Sequence, residues 1–278
     1  MLEYINNKKE EINLIISQNC ILVERFREER KSYEEYVKQI TQEKIHLAKI
    51  KTNERDIKIL KLIYRLRFCT SSQIAKMVFK NQKHPQKLAN SSIKKLFMLG
   101  CIDRFFPVVE KGSSQTHIVL APIGARLIEI KGFRKVIALT QNWRHVISCN
   151  EIISEIFNKY KLIDSKTEIK IEFKNKILRP DLFAGWENNQ KEYFSMFEID
   201  LGTEHMNILT QKIKNYIEYF STIDFKTDRW QPYENIAIIP EVNFVFNDEH
   251  RARKFEGYIN RIDSNVKFKV CTFDNLVL

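Results

Sequence analysis

The sequence predicts an α+β protein in three segments. Residues 1–50 contain no Gly or Pro and many Glu, Lys and Ile, a composition that favours one long helix. The middle of the chain shows helical periodicity followed by a hairpin pattern, whereas residues 141–278 place short β-rich runs between amphipathic helices. We therefore expect a helical segment 1–52, a second segment 53–140 and a third segment 141–278.

The first segment carries one apolar seam. Positions spaced by three and four residues between 12 and 50 are apolar or aromatic at nine of twelve places. This pattern predicts a coiled coil and a homodimer through residues 1–50. One long helix packed on its own chain explains the pattern equally well, because a single seam does not identify its partner.

Positive charge is concentrated in the middle of the chain. The whole chain has a net charge of +11, and residues 51–140 alone hold 18 Lys and Arg against 5 Asp and Glu. A local excess of this size is typical of a module that binds a polyanion.

Several classes of function are disfavoured. The five scattered cysteines lack CxxC spacing, so they predict neither a disulfide framework nor a zinc site. The sequence also contains no glycine-rich loop of the kind that binds a nucleotide cofactor. No apolar run is long enough to span a bilayer, and the N-terminus lacks the apolar core of a secretion signal. We therefore expect a cytoplasmic protein without a membrane partner.

The order of elements in the second segment predicts a winged helix-turn-helix. Helix-capping residues and glycines mark the ends of the helices. The expected elements, in chain order, are a helix at 54–67, a helix from Thr70 or Ser71 through Phe79, a basic turn at 80–87, a helix from Asn90 or Ser91 to Gly100, a hairpin turning at 111–114, and a short helix opened by 122–124.

In this arrangement the third helix enters the major groove of double-stranded DNA. The lysines mainly neutralise phosphates, so they favour affinity over sequence reading. The alternative is a protein-interaction module with a solvated basic face. The predicted DNA-contacting residues are Ser91, Ser92, Lys94 and Lys95 on the helix, Lys87 before it, and Lys111 at the tip of the wing.

Acidic residues in the third segment are predicted to meet across a β-hairpin. Asp181 and Glu198 lie on two apolar runs that flank the polar loop 187–192. If the turn centres between Asn189 and Gln190, Asp181 faces Glu198 on the neighbouring strand.

Asp200 extends this cluster, because it lies two residues from Glu198 and shares its face of the strand. Three converging carboxylates repel one another unless a cation neutralises them, and hard oxygen ligands suit Mg²⁺ or Mn²⁺. The same register places Arg179 opposite Asp200, so a cross-strand ion pair is the alternative for that residue.

The third segment is predicted to have the order αβββαβαβ. A helix between strands allows the third and fourth strands to lie parallel in one sheet. The expected elements are a helix at 144–160, a strand at 168–173, strands near 177–185 and 193–201, a helix at 206–220, a strand at 241–246, a helix at 248–262 and a strand at 267–273.

This order, with Pro-Asp on the second strand and Glu-x-Asp on the third, resembles the PD-(D/E)XK nuclease superfamily, whose core is αβββαβ. The resemblance implies that Asp181 and Glu198 bind a divalent metal. It also implies a further glutamate ligand on the helix before the sheet. Glu151 and Glu155 share one face of that helix, and Glu151 is preferred.

The resemblance breaks down at one position. Asp200 stands where the superfamily usually has a lysine that helps to activate water. Some members place this lysine on the following helix, where Lys212 is the best candidate. The implied catalytic residues are therefore Asp181, Glu198, Asp200 and Lys212, and the implied metal ligands are Asp181, Glu198 and Glu151.

The whole layout is similar to the replication-relaxation family of plasmids and integrative elements in Gram-positive bacteria. The likeness is carried by the runs 178–181 (LRPD) and 197–204 (FEIDLGTE), and by Lys212 and Tyr216. It implies a role in the replication and topological relaxation of a mobile element and establishes no chemical step. Together with the basic segment and the nuclease-like domain, it leads us to expect a DNA-binding protein that acts in replication, relaxation or mobilisation, binds a divalent metal and nicks DNA. The alternative is a non-enzymatic transcriptional or partition regulator with an inactive nuclease-like domain used for assembly.

Overall fold

A computed structural model describes residues 42–105, 116–133, 143–167, 169–202, 204–222, 224–233 and 237–276. These residues form a mixed α+β structure, as the sequence predicts, and they divide into two compact units. The first unit contains the described residues of 42–74 and 86–133, and the second contains 75–85 and the described residues from 143 onward. Most of the predicted coiled-coil segment, up to residue 41, lies outside the described residues.

Helices and a small antiparallel sheet make up the N-terminal half of the described chain. Strand β3 lies between β1 and β2, which gives the order β1-β3-β2. The elements are α1 (Gln42–Lys51), α2 (Glu54–Leu66), β1 (Phe68–Thr70), α3 (Ser71–Val78), α4 (Pro85–Met98), β2 (Ile102–Phe105), β3 (His117–Leu120) and α5 (Pro122–Leu127).

Helix α1 contributes the described end of the predicted seam. Ile45 and Ala48 are buried, whereas the seam residues Leu47 and Ile50 are exposed, Ile50 to 68%. The face of α1 that packs within the unit is therefore not the predicted seam. The homodimer through this seam stays a prediction.

The third predicted helix begins earlier than expected. The prediction placed its N-cap at Asn90 or Ser91, but α4 begins at Pro85. Proline suits the first turn of a helix because its φ is already helical and its missing N–H has no intrahelical partner there. Lys87, predicted to lie on the preceding turn, is therefore a residue of α4.

The second unit is built on a five-stranded mixed sheet with the order β10-β9-β8-β7-β4. Strand β8 runs parallel to β9, which confirms the predicted parallel pair, and β7 is antiparallel to both of its neighbours. The elements are α6 (Trp143–Lys159), β4 (Lys161–Thr167), β5 (Ile171–Phe173), β6 (Lys176–Leu178), β7 (Leu182–Asn188), β8 (Lys191–Asp200), α7 (Met206–Phe220), a 3₁₀ turn (Asp224–Thr227), β9 (Glu241–Phe246), α8 (Glu249–Ile259) and β10 (Phe268–Thr272).

Two predicted strands are corrected. The first strand of the large sheet is β4 and not 168–173, because β5 pairs with β6 in a separate two-stranded hairpin. Strand β4 is polar and lies at the sheet edge, so it lacks the apolar run that marks a strand in sequence. The predicted strand 177–185 is divided between β6 and β7 at Pro180, which has no N–H for a ladder bond.

The register of the β7–β8 hairpin is the predicted one. Leu182 pairs with Phe197 and Asn188 pairs with Lys191. The two turn residues, Asn189 and Gln190, both have positive φ, which suits the tight turn of a two-residue hairpin.

Helices α7 and α8 cover one face of this sheet. The apolar core beneath them includes Phe183 and Met196 of the hairpin, Ile213 of α7, Phe244 of β9 and Phe255 of α8. In the described part of the chain, no helix combines the length and the apolar character needed to cross a membrane.

Candidate functional site

The end of strand β8 carries two acidic side chains into the interior of the second unit. Glu198 is 1% exposed and Asp200 is 2% exposed. Both lie on the same face of β8 as Met196, because side chains two residues apart point to the same side of a strand. Two carboxylates are thus placed beneath α7 and α8, where each requires a partner.

Helix α7 supplies the partners of Glu198. The hydroxyl of Tyr216 donates a hydrogen bond of 2.6 Å to Oε1, and Lys212 Nζ lies 2.8 Å from Oε2. Residues four apart lie on the same face of a helix, so one turn of α7 presents both groups. Despite the nearby ammonium group, Glu198 Oε2 has no partner in hydrogen-bond geometry.

Asp181 lies immediately before β7 and close to Glu198. Its N–H donates to the carbonyl of Phe197 over 3.0 Å, and its Oδ2 accepts a 2.7 Å hydrogen bond from the N–H of Ile199. The paired register ends at Leu182 and Phe197, one step before Asp181 and Glu198, and the N–H of Asp181 bonds to Phe197 and not to Glu198. Asp181 nevertheless lies close enough for its charge to act on Glu198. His145 of α6, which the sequence did not indicate, places Nδ1 3.9 Å from Asp181 Oδ1.

Asp200 is bound by partners that the sequence did not predict. Its Oδ2 accepts a 2.8 Å hydrogen bond from Nε of Arg251 and a second bond from the same guanidinium group. Its Oδ1 accepts from the N–H of Gly202 over 2.9 Å. The alternative ion pair with Arg179 is wrong, because Arg251 occupies Asp200 and Arg179 is exposed.

Glu204 joins the cluster from the segment between β8 and α7. Its Oε1 lies 3.0 Å from Lys212 Nζ, and its backbone carbonyl accepts a 2.7 Å bond from Arg251. The second carboxylate oxygen, Oε2, is buried without a hydrogen-bond partner. Glu204 belongs to the run that carried the family likeness, but its own sequence pattern did not mark it as a site residue.

Glu151 does not complete a preformed set of metal ligands. Its carboxylate binds Lys76, which also lies 2.6 Å from Glu155. Within the described ranges, no three or more His, Cys, Asp or Glu side chains are grouped so that they could hold a metal ion. The structure therefore brings together Asp181, Glu198 and Lys212, and directs Glu151 elsewhere.

Burial sets the electrostatics of this cluster. The pKa of Glu198 is raised to about 7: burial is the largest cause, Lys212 opposes it, and the charge of Asp181 adds to it. Burial also raises the pKa of Asp181, although the bond from Ile199 favours the charged form. For Lys212, burial lowers the pKa, but the neighbouring carboxylates outweigh it and the net pKa is raised. Lys212 therefore stays cationic at neutral pH.

In the first unit, helix α4 presents an exposed polar face. Lys87, Asn90, Ser91 and Lys94 are exposed and repeat at helical spacing, so they form one continuous strip, whereas Ser92 is half-buried. Ile93, Ala89 and Leu96 are buried on the opposite side. The predicted wing residue Lys111 lies outside the described residues.

Lys95 does not point freely outward as predicted. Its Nζ lies 2.5 Å from Oδ2 of Asp56, a residue that is 2% exposed. Asp56 also forms a capping box with Asn53 at the start of α2. The contact removes Lys95 from the exposed strip and makes it a structural partner of a buried carboxylate.

The structure thus defines a protein with a basic helical unit and a mixed-sheet unit that carries a buried carboxylate–lysine cluster. The chain belongs to the replication-relaxation family, whose model matches residues 60–235, more than half of the sequence. This confirms the predicted family. The matched range includes Asp181, Glu198 and Lys212, and ends before Arg251. No curated protein and no solved structure matches the chain.

The substitution Glu198→Gln is predicted to change how stability depends on pH. The pKa of this carboxyl rises on folding from 4.5 to about 7. Between these values the unfolded chain releases the proton first, so the group's stabilising contribution is lost as pH rises. Thermal melting followed by circular dichroism should show the wild-type midpoint falling relative to the variant from pH 4.5 to 7.5.

The control is Glu218→Gln, since Lys176 lowers the pKa of that half-exposed carboxylate and the trend should not appear. Parallel melting curves for the wild type and Glu198→Gln across this range would contradict the prediction.

Proposed function

We propose that this chain is a DNA-binding protein that acts in the replication, relaxation or mobilisation of a mobile genetic element, and that its second unit nicks DNA with the help of a divalent metal. Family membership supports the role in replication or relaxation. The observation that carries the catalytic proposal is the position of Lys212, 2.8 Å from Glu198. Lys212, on helix α7, takes the place of the lysine that the superfamily usually has at the strand position of Asp200.

The order of elements supports a nuclease-like fold for this unit. The sequence α6-β4-β7-β8-α7-β9 corresponds to the αβββαβ core of the PD-(D/E)XK superfamily if the β5–β6 hairpin is counted as an insertion. In this correspondence Asp181 and Glu198 keep the metal-binding positions of that superfamily.

The residues present fit a hard divalent cation. Oε2 of Glu198 is buried and faces the ammonium group of Lys212 at 2.8 Å outside hydrogen-bond geometry, and Asp181 lies close enough for its charge to act on Glu198. Mg²⁺ commonly takes one or two carboxylates together with water and substrate phosphate, so these two residues suffice to hold Mg²⁺ or Mn²⁺. A bound ion of this kind polarises a phosphate and lowers the pKa of water.

The protein groups around the cation site are oriented in advance. Tyr216 fixes one oxygen of Glu198, and the N–H of Ile199 fixes one oxygen of Asp181. Lys212 carries a positive charge that stabilises the developing charge on an attacked phosphate. Fixed dipoles and charges of this kind require little reorganisation during the reaction, which is the main source of electrostatic catalysis.

DNA binding is proposed for residues 53–140 as a winged helix-turn-helix. Helices α2, α3 and α4 followed by β2 and β3 have the order of that module. The exposed strip of α4 combines Asn90 and Ser91, which can hydrogen-bond to base edges, with Lys87 and Lys94, which neutralise phosphates.

A second candidate function is a non-enzymatic DNA-binding regulator. Two observations favour it: Asp200 occupies the usual lysine position, and the described residues hold no preformed group of three metal-ligating side chains. In this case the second unit supports assembly and has no chemical step.

Nicking of a supercoiled plasmid with Mg²⁺ or Mn²⁺ separates the two functions. We expect metal-dependent nicking by the wild type. Asp181→Ala and Glu198→Ala should lower the nicking rate by more than the roughly 10–100-fold loss that follows removal of a residue supporting a metal ligand. Lys212→Ala should also lose activity.

Lys214→Ala is the matched control, because Lys214 is exposed on the same helix. The absence of metal-dependent nicking at full DNA binding would establish the regulator instead.

Substitutions of the adjacent residues Lys94 and Lys95 are predicted to have different effects, on DNA binding and on stability respectively. Lys94→Ala should weaken duplex binding and reduce the salt slope by about 1, because one phosphate contact is lost. Lys95→Ala should instead lower stability by roughly 1–3 kcal/mol, because it leaves the buried Asp56 without its cation.

Fluorescence anisotropy over a range of salt concentrations and urea unfolding measure the two effects. Lys61→Ala, an exposed lysine of α2, is the control. If Lys94→Ala left both affinity and salt slope unchanged, α4 would not be the DNA-contacting helix.

A further inference from the structure

We propose that Asp200 and Arg251 form a clasp that positions Glu204, and that Glu204 in turn holds Lys212 beside Glu198. The inference deepens the proposed nuclease site and rests on it for the catalytic value of Lys212. Asp200 is then a positioning residue and not a metal ligand, and Arg251 and Glu204 become part of the site's support.

Both oxygens of Asp200 are committed to protein groups. Oδ2 accepts two bonds from the Arg251 guanidinium group, and Oδ1 accepts from the N–H of Gly202. Charge-assisted bonds from one planar guanidinium fix direction as well as distance. Both oxygens of Asp200 are thus already engaged by protein donors.

The clasp reaches the segment that follows β8. The Arg251 Nη2 that binds Asp200 also donates to the carbonyl of Glu204 over 2.7 Å. Gly202, between them, has a φ of +86°, which a residue with a side chain rarely adopts. The chain therefore turns sharply after Asp200 and returns to the same guanidinium group, which fixes the position of Glu204.

Glu204 then restrains Lys212. The lysine ammonium lies 3.0 Å from Glu204 Oε1 and 2.8 Å from Glu198 Oε2, and its side chain is 23% exposed. A lysine has a long stem with many rotamers, so contact with one carboxylate alone leaves it several positions. Two carboxylates from different elements restrict it to the space between them.

This arrangement gives a physical reason for the acidic residue at the usual lysine position. A lysine on the strand is placed by the rigid sheet, whereas a lysine on α7 depends on how that helix and its preceding segment are held. Asp200 holds that segment through Arg251. The residue at this position of β8 therefore still fixes where the lysine lies, although the lysine is now Lys212 of α7.

Chemical labelling of Lys212 tests the clasp without DNA or metal. The wild type and its variants are treated with an acetylating reagent, and the modification of each lysine is followed by mass spectrometry. Arg251→Ala and Glu204→Gln should raise the labelling rate of Lys212 several-fold, and Arg251→Lys should raise it less.

The matched control is Arg253→Ala, since Arg253 lies on the same helix, is 72% exposed and forms an ion pair with Glu249 of that helix. Lys269, paired with Glu241 in the sheet at 2.9 Å, reports on the fold of the unit and should be labelled equally in all variants. Unchanged labelling of Lys212 in Glu204→Gln would overturn the inference, and this variant leaves the guanidinium contacts intact.

The proposed function and the clasp fail in different ways. If the wild type never nicks DNA but the labelling of Lys212 rises in Arg251→Ala and Glu204→Gln as expected, the clasp is supported and the nuclease proposal is rejected. If the wild type nicks DNA, Arg251→Ala should lower kcat by roughly 10–100-fold with little change in KM for DNA. An unchanged kcat together with unchanged labelling would contradict the clasp alone.

Discussion

A carboxylate buried in the middle of a sheet is the constraint on which the second unit depends. Glu198 is almost fully removed from water, and such a group is costly unless a cation and a hydrogen-bond donor accompany it. Lys212 and Tyr216 provide these from one turn of α7. The helix must therefore cross β8 with this face inward, and the apolar residues Leu209 and Ile213 pack on the sheet as a consequence.

The same constraint links stability to function. The raised pKa of Glu198 shows that the folded protein holds this carboxyl at an electrostatic disadvantage near neutral pH. In the proposed function, a divalent cation between Asp181 and Glu198 would relieve that disadvantage. Unfavourable local electrostatics of this kind are common at functional sites.

Local patterns were enough to predict much of this site. The polar loop between two apolar runs defined the β7–β8 turn, and the two-residue period of strands then gave the observed register, which pairs Leu182 with Phe197 one step before Asp181 and Glu198. The helical repeat placed Lys212 at the edge of the apolar stripe of α7, from which it reaches Glu198.

Contacts between distant residues could not be predicted in this way. Arg251 lies 51 positions from Asp200, and Lys95 lies 39 positions from Asp56. No periodicity relates such pairs, because they depend on how whole elements pack. The polar edge strand β4 was missed for a related reason: its pairing comes from its neighbour β7 and not from an apolar run of its own.

The most direct measurement is a crystal structure of the protein soaked with Mn²⁺, with the metal located by its anomalous scattering. The proposed site predicts one strong peak between Asp181 and Glu198, with Lys212 still held by Glu204 and with Asp200 still bound to Arg251. A peak on Asp200, or none near Glu198 in crystals where Mn²⁺ is bound elsewhere, would contradict the proposal that Asp181 and Glu198 form a metal site.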